Sequence, residues 1–432
     1  MSPSDSMPYK ILIFYTLITF CTWLAQGEPG KCRDGITKNI TPHQLLRQDL
    51  FCSYDKESRP VIDFHKNVTV DLKLFVKFFV FDEHKNVLEV HAWLAMSWTD
   101  EGLKWNPPDY SNINVLHVKD YDIWMPDISI YNSGNMETNG AWDYTHCVVY
   151  STGIVLCVPT LKWSAQCKAN LQQWPFDQQN CTMTIGSWSQ SGEQLDINLK
   201  DQGIGLEDFA SNREWELLKS SAKKEVTKYS SAPNSTYQSI DFHFHIKRHA
   251  DAYAATVIIP SLAIALLTLG SYWLDPNKSN RLAACCISTL CHCLYLQYLG
   301  LKLPVNGTMT PIIILLYRDS LIITSMALVL AVVVERMSSS SNDTSATSAA
   351  IPAWLDRFVG VVLDHKAVQL LLLGKFDSKR GDGTSLMENG TQSNEGKQNK
   401  DWFILVTIIN RLGFLVSLIT YFILYIALIP KY

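Results

Sequence analysis

The sequence predicts an all-β sandwich outside the cell followed by a four-helix transmembrane bundle, and three observations carry that prediction. Long uncharged runs fall almost entirely after Ala250. Before Ala250, short alternating or β-rich runs recur between turn signals, the pattern of an antiparallel sandwich. At the start, Lys10 precedes an apolar stretch from Ile11 to Leu24 and then Ala25, Gln26 and Gly27, a small-x-small pattern that a signal peptidase accepts.

Taken in order, residues 1–27 read as a cleaved leader, so the mature chain is expected to begin near Glu28 and residues 28–250 to fold outside. A short helix is expected from Thr41 to Asp49, with Thr41 as its cap and Pro42 in its first turn, where a missing N–H costs nothing. The clearest strands are VTVDLKLFVKFFVF (Val68 to Phe81), VLEVHAWLAMSW (Val87 to Trp98) and YQSIDFHFHIK (Tyr237 to Lys247). Four later segments are long and apolar enough to cross a bilayer: Tyr253 to Trp273, Leu282 to Leu301, roughly Pro311 to Val334, and Trp402 to Pro430. Residues 251–335 therefore carry three spans, 336–401 a connection inside the cell, and 402–432 the last span. Lys278 and Arg281 fall on the inner side, as the positive-inside rule prefers, and an even number of crossings returns the C-terminus to the outside. In the inner connection two polar tracts, MSSSSNDTSATSAA and SKRGDGTSLMENGTQSNEGKQNK, are too hydrophilic to bury a core of their own.

Of the eleven cysteines, Cys21 lies in the leader and Cys285, Cys286, Cys291 and Cys293 lie in the second span, leaving six in the exported region. An even number in an oxidising compartment suggests three bridges. Cys147 and Cys157 flank the turn Ser151-Thr152-Gly153 symmetrically and stand opposite each other in a hairpin. Cys32 with Cys52, and Cys167 with Cys181, are the sequence-local remainder. Glycan sequons at Asn39, Asn67, Asn180, Asn234 and Asn306 fall outside, whereas those at Asn342 and Asn389 fall inside and should stay bare. With 37 basic against 41 acidic residues the chain is not built for nucleic acid. Neither metal-ligand spacing, a phosphate-binding glycine loop nor a nucleophile motif is present, so no enzyme, cofactor or metal is expected.

The run CKANLQQWPFDQQNC, from Cys167 to Cys181, encloses thirteen residues around Trp174-Pro175-Phe176-Asp177. It resembles the loop that names the Cys-loop, or pentameric ligand-gated, ion channel family. Within that family the nicotinic acetylcholine receptor branch is the most similar, through WLAMSWTDEGLKWNP (Trp93 to Pro107), WMPDISIYNS (Trp124 to Ser133), GSWS (Gly186 to Ser189) and IINRL (Ile408 to Leu412). The resemblance implies the nicotinic type of ligand-binding sandwich, a Cys167–Cys181 bridge, and a membrane-surface amphipathic helix at IPAWLDRFVGVVLDHKAVQLLLLG (Ile351 to Gly374). It also implies partners: other receptor subunits, in a hetero-pentamer rather than a homo-pentamer, acetylcholine or a similar small cation, and the lipid bilayer of a synaptic plasma membrane.

A quaternary ammonium donates no strong hydrogen bond and is best held against several aromatic faces. The resemblance places Tyr131, Trp188, Tyr229 and Tyr237 on the principal side of such a cage, and Trp93 with Val148, Leu156 and Val158 on the complementary side of another interface. The hairpin parity agrees, since Val148 faces Leu156 and both point away from Cys147 and Cys157. The segment Tyr229-Ser-Ser-Ala-Pro-Asn-Ser-Thr-Tyr237 lacks the adjacent cysteines of a ligand-binding α-type subunit and is one residue longer, so by the family's convention the chain is a non-α subunit.

In the second span Ala283, Ile287, Leu290, Leu294, Gln297 and Leu301 form one helical stripe, which the resemblance makes the pore lining with Leu290 at the hydrophobic gate. At the inner mouth Asn280 stands where a cation-selective nicotinic subunit usually carries Glu. Selectivity for cations over anions would then depend on partner subunits. Glu83 and Arg248 resemble the pair that couples sandwich to helices, with Phe176 beside them. The rival expectations are an accessory, poorly conducting subunit, a channel for another transmitter or for anions, and a surface-binding protein that merely uses the sandwich.

Overall fold

The computed structural model describes residues 40–135, 144–230, 233–275, 279–304, 309–342, 357 and 392–429. Helix α1, Pro42–Phe51, starts on a reciprocal cap: Gln44 N donates to Thr41 Oγ1 at 3.3 Å while Thr41 N donates to Gln44 Oε1 at 3.0 Å. Eleven strands follow: β1 Val68–Asp82, β2 Val87–Thr99, β3 Val115–Lys119, β4 Ile128–Ile130, β5 His146–Tyr150, β6 Ile154–Cys157, β7 Thr160–Gln166, β8 Gln178–Ser187, β9 Leu195–Gly205, β10 Trp215–Thr227 and β11 Tyr237–Arg248. One sheet runs β3-β5-β6-β2-β1-β9, with β7 continuing along β2, and the other runs β10-β11-β8-β4.

Alternation explains how β1 faces both ways. Val68, Val70, Leu72, Leu74 and Val76 enter the core on every second residue. A bulge between Val76 and Phe78 then shifts the phase, so that Phe79 and Phe81 are the next to be buried and Lys77 has no partner on β2. The core between the sheets is rich in large rings, including the fully buried Trp163, Trp174, Trp215, Phe79, Phe242 and Phe244. The Ser151–Gly153 turn requires its glycine, because φ is +86° and a Cβ there would lie 2.5 Å from Asp100 O.

Cys147 pairs with Cys157 across the β5–β6 hairpin at a Cα separation of 4.4 Å, and Val148 faces Leu156 in the next register position. Cys167 is bonded to Cys181 with Cα atoms 5.2 Å apart. Cys52 is disulfide-bonded, while Cys32, its expected partner, lies outside the described residues. Cys285, Cys286, Cys291 and Cys293 are free thiols. Of the sequons, Asn67, Asn180 and Asn234 are exposed, and Asn39, Asn306 and Asn389 lie outside the described residues. So does nearly all of the expected surface helix from Ile351 to Gly374.

Four helices are long and apolar enough to cross a membrane. They are α2 Asp251–Ser271, α3 Asn280–Lys302, α4 Ile312–Asn342 and α5 Gln392–Leu428, the last two crossing within Ile312–Met337 and Leu405–Leu428. Helix α2 carries a π turn at Ala254–Ile258, just before Pro260, whose missing N–H already interrupts the regular ladder. Hydroxyls join the four helices inside the bundle. Thr268 on α2 contacts Ser288 on α3 at 2.7 Å and Thr324 on α4 at 3.1 Å. His292 on α3 reaches Ser320 on α4 at 2.6 Å, and Ser320 donates to Tyr421 on α5 at 3.1 Å. The two polar residues expected within the last span are also placed: Asn410 donates to Tyr272 O at 2.6 Å, and Arg411 lies over the Trp273 ring at 3.8 Å.

Sandwich and bundle meet through main chain as well as side chain. Ile312 N, at the start of α4, donates to Gln172 O in the disulfide-closed loop at 3.0 Å, and His84 Nε2 lies 3.1 Å from Lys302 O.

Candidate functional site

Four of the predicted aromatic residues converge at one end of the β10-β11-β8-β4 sheet. Pairing of β4 with β8 brings the residues just beyond them, Tyr131 and Trp188, into an edge-to-face arrangement with ring centroids 6.4 Å apart. Tyr131 passes so close to β8 that a Cβ on Gly186 would lie 2.4 Å from its hydroxyl, so glycine is required there. That hydroxyl donates to Ser187 O at 2.6 Å. Asp127 accepts from Ser187 Oγ, from Ser189 N at 2.7 Å and from Ser189 Oγ at 2.6 Å, holding the turn that presents Trp188 with 71% of its surface exposed. Tyr229 and Tyr237 close the group from the end of the β10–β11 hairpin, with centroids 5.4 Å apart. Burial first, then the nearby Tyr229, Asp127 and Tyr237 groups, pushes the Tyr131 phenol up to about 12, so it stays protonated and keeps its donor bond at physiological pH.

The hairpin carrying the two tyrosines lacks adjacent cysteines but is pinned at its base. Thr236 N and Oγ1 donate to Glu193 Oε1 at 3.2 and 3.0 Å, and Gly192 N donates to Thr236 O at 2.7 Å. Hydrogen bonds from Ser191, the local backbone and Thr236 hold the Glu193 carboxyl down to about 2. Asn234 is exposed within the same segment. Sequence reasoning missed the holding roles of Asp127 and Glu193. Asp127 lay inside the quoted WMPD run, while nothing local marks Glu193.

The second group lies on the other sheet. Trp93 projects from the outer face of β2, 40% exposed, and Val148, Leu156 and Val158 also face outward, opposite the buried Cys147 and Cys157. The face of the Trp93 indole is already covered: Lys77 Nζ stands 3.5 Å from the ring centroid and 2.6 Å from Asp208 Oδ2.

On α3 the stripe Ala283, Ile287, Leu290, Leu294, Gln297 and Leu301 is exposed throughout, whereas Arg281, Cys285, Ser288, His292 and Leu299 on the opposite side are buried in the bundle. Asn280 is exposed at the inner end, and the adjacent Arg281 is turned inward over the Tyr272 ring at 5.5 Å. The stripe therefore offers neither a carboxylate nor a guanidinium at that end.

Between the two domains Arg248 is 1% exposed and gathers three carboxylates. Its Nε donates to Asp177 Oδ1 at 2.8 Å, Nη1 to Glu214 Oε1 at 3.0 Å and Nη2 to Glu83 Oε2 at 3.3 Å. The guanidinium also stacks over Trp215 at 4.2 Å. The expected Glu83–Arg248 pair is thus one arm of a buried cluster. From the disulfide-closed loop it is Asp177, the residue after the expected Phe176, that bonds Arg248; Phe176 itself is half-buried. Glu214 additionally accepts from Tyr253 at the start of α2 at 2.9 Å, and Trp174 packs on the Tyr253 ring with centroids 5.2 Å apart. Among the described residues no group of three or more His, Cys, Asp or Glu is arranged to hold a metal.

Comparison with known proteins agrees with this architecture. Residues 43–250 match the family described as the neurotransmitter-gated ion-channel ligand binding domain. The chain is 29% identical over 358 residues to the bovine neuronal acetylcholine receptor subunit alpha-5, covering 81% of this chain and 72% of that protein. It is 29% identical to the acetylcholine receptor subunit alpha-type acr-16 of Caenorhabditis elegans, covering 74% of this chain and 62% of that one. Against the rat neuronal acetylcholine receptor subunit alpha-3 the identity is again 29%, with 72% and 62% covered. The match thus spans a little under two thirds of the length of two of these three relatives. With the matched sandwich joined to four membrane-length helices, the chain belongs to the Cys-loop receptor family as a nicotinic-like subunit.

Proposed function

We propose that the chain is a subunit of a pentameric, neurotransmitter-gated ion channel of the plasma membrane, probed at synapses by acetylcholine or a similar small cation. The observation that carries this reading is the convergence of Tyr131, Trp188, Tyr229 and Tyr237 at one open end of the sheet, where several electron-rich faces can surround an ammonium group. Trp93, Val148, Leu156 and Val158 lie on the face turned toward a neighbouring subunit's site, so both faces of the chain meet partners in a hetero-pentamer. The exposed stripe on α3 lines the pore, with Leu290 as the gate ring, and the Arg248 cluster transmits movement of the sandwich to the helices. In receptors assembled with nicotinic partner subunits, Trp188→Ala should weaken acetylcholine potency by about tenfold while surface expression is unchanged, as loss of one cage wall requires. Unchanged potency would reject the aromatic group as an agonist site.

Asn280 favours a second reading, an accessory subunit that assembles and binds ligand but contributes little to conduction. Its amide puts no charge at the inner mouth, so a pentamer containing this chain attracts cations there less strongly. Single-channel recording separates the two readings. If α3 lines a conducting pore, Asn280→Glu raises inward cation conductance; if it does not, conductance stays as it was.

A further inference from the structure

We propose that Lys77 is a built-in competitor that closes the complementary face of this subunit to ammonium ligands, so that agonist binding by the chain runs through its principal face. The inference rests on the reading above, in which Trp93 faces the ligand site of a neighbouring subunit. A tryptophan attracts a cation through the negative potential over its ring face. Here Lys77 Nζ already lies 3.5 Å from the Trp93 centroid. An incoming ammonium gains the face that the lysine covers only by expelling it, so on that face the two cation–π attractions cancel and little net affinity is left.

The backbone and a carboxylate both hold the lysine there. Alternation along β1 puts Lys77 on the outer face, two positions from Phe75, whose partner on β2 is Trp93, and the bulge between Val76 and Phe78 leaves Lys77 without a β2 partner of its own. Asp208 Oδ2 then clamps the ammonium at 2.6 Å, and Ala210 N donates to Lys77 O at 2.7 Å, tying the same loop to the bulge. The Lys77 side chain is only 23% exposed although its ring partner is on the surface, so the ammonium is seated between indole and carboxylate rather than extended into water. The neighbouring Lys73 repeats the arrangement more loosely, 5.1 Å from the Phe75 centroid and 3.1 Å from Asp201. The principal face has no such occupant: no described lysine or arginine lies over Tyr131, Trp188, Tyr229 or Tyr237 among the cation–ring contacts.

The test is a double-mutant cycle on the full chain, co-expressed with a partner that supplies an intact principal face and activated by acetylcholine or by tetramethylammonium alone. Surface labelling reports assembly for each variant. Lys77→Gln should raise the potency of both cations by about tenfold, the worth of one unobstructed ring. Lys77→Arg, which keeps a cation on the ring, should not. Trp93→Ala should change potency less than about twofold in the native chain but erase the gain when added to Lys77→Gln. If instead Trp93→Ala alone lowers potency about tenfold and Lys77→Gln has no effect, the competitor is overturned and the complementary-face reading survives. If neither substitution matters in receptors that reach the surface normally, both the competitor and the complementary-face role fall, while the Trp188 result still decides the principal face. Should Lys77→Gln fail to assemble, Lys77→Met supplies the same neutralisation with the stem of the side chain retained.

Discussion

The sandwich and the helical bundle are stabilised in opposite ways. The sandwich hides rings and aliphatic side chains between its sheets, and its deeply buried cation, Arg248, is surrounded by carboxylates. The bundle exposes Ile, Leu, Val and Phe along its outer faces and keeps hydroxyls, from Thr268, Ser288, Ser320 and Thr324, at its centre. Water accounts for the difference. A domain in water gains free energy from apolar burial, whereas helices in lipid are surrounded by groups as apolar as their own and hold together through packing and internal hydrogen bonds. One chain therefore carries two kinds of fragility: loss of a charge partner in the sandwich, loss of close packing in the bundle.

Three substitutions break or sharpen that contrast. Arg248→Met should have the largest effect, because it strands Glu83 and Asp177 in the interior without a counter-charge; removing one partner of a buried pair costs about 3 to 5 kcal/mol. Surface receptor, measured by labelling of intact cells, should fall to background, and normal surface levels would show that the sandwich folds without this counter-charge. Cys181→Ser should be nearly as damaging, since losing a native bridge from an exported domain typically costs about 2 to 5 kcal/mol. Here the readout is assembly on gradient sedimentation, and intact pentamers would oppose the expectation. Thr268→Val should be mildest, at about 0.6 kcal/mol, because Thr324 keeps its bond to Ser320 O and helices in lipid find alternative partners. Surface levels near normal are expected, and a loss as complete as that of Arg248→Met would erase the contrast between the two halves.

What the sequence revealed follows the range of each interaction. Alternation in β2 and in β1 up to its bulge, the Thr41 cap and the four apolar spans are local patterns, and each was readable to within a few residues. Val148 and Leu156 could be paired because the short turn between Cys147 and Cys157 fixes the register. The Arg248 cluster was only half legible: Glu83 is 165 residues away along the chain and was found by resemblance, Asp177 was quoted only as part of the disulfide-loop motif with no role given, and nothing local marks Glu214. Lys77 was invisible for a different reason. Alternation places it on the outer face with Phe75 but predicts a solvated lysine, and neither the bulge nor the sequence-distant Asp208 that holds it beside Trp93 has a compositional mark here.

The bond from Ile312 N to Gln172 O has a consequence for how subunits of this kind can be recombined. Both groups belong to the main chain, so any residue but proline at 312, and any residue at 172, supplies them. Scanning substitutions at these two positions will therefore register almost nothing, and covariation between them will be weak, even though they join the two halves of the molecule. A chimaera that grafts this extracellular half onto foreign helices retains the joint as long as the disulfide-closed loop and the α3–α4 connection keep their lengths. For that one bond compatibility is encoded in loop length, and residue identity at 172 and 312 is free to drift.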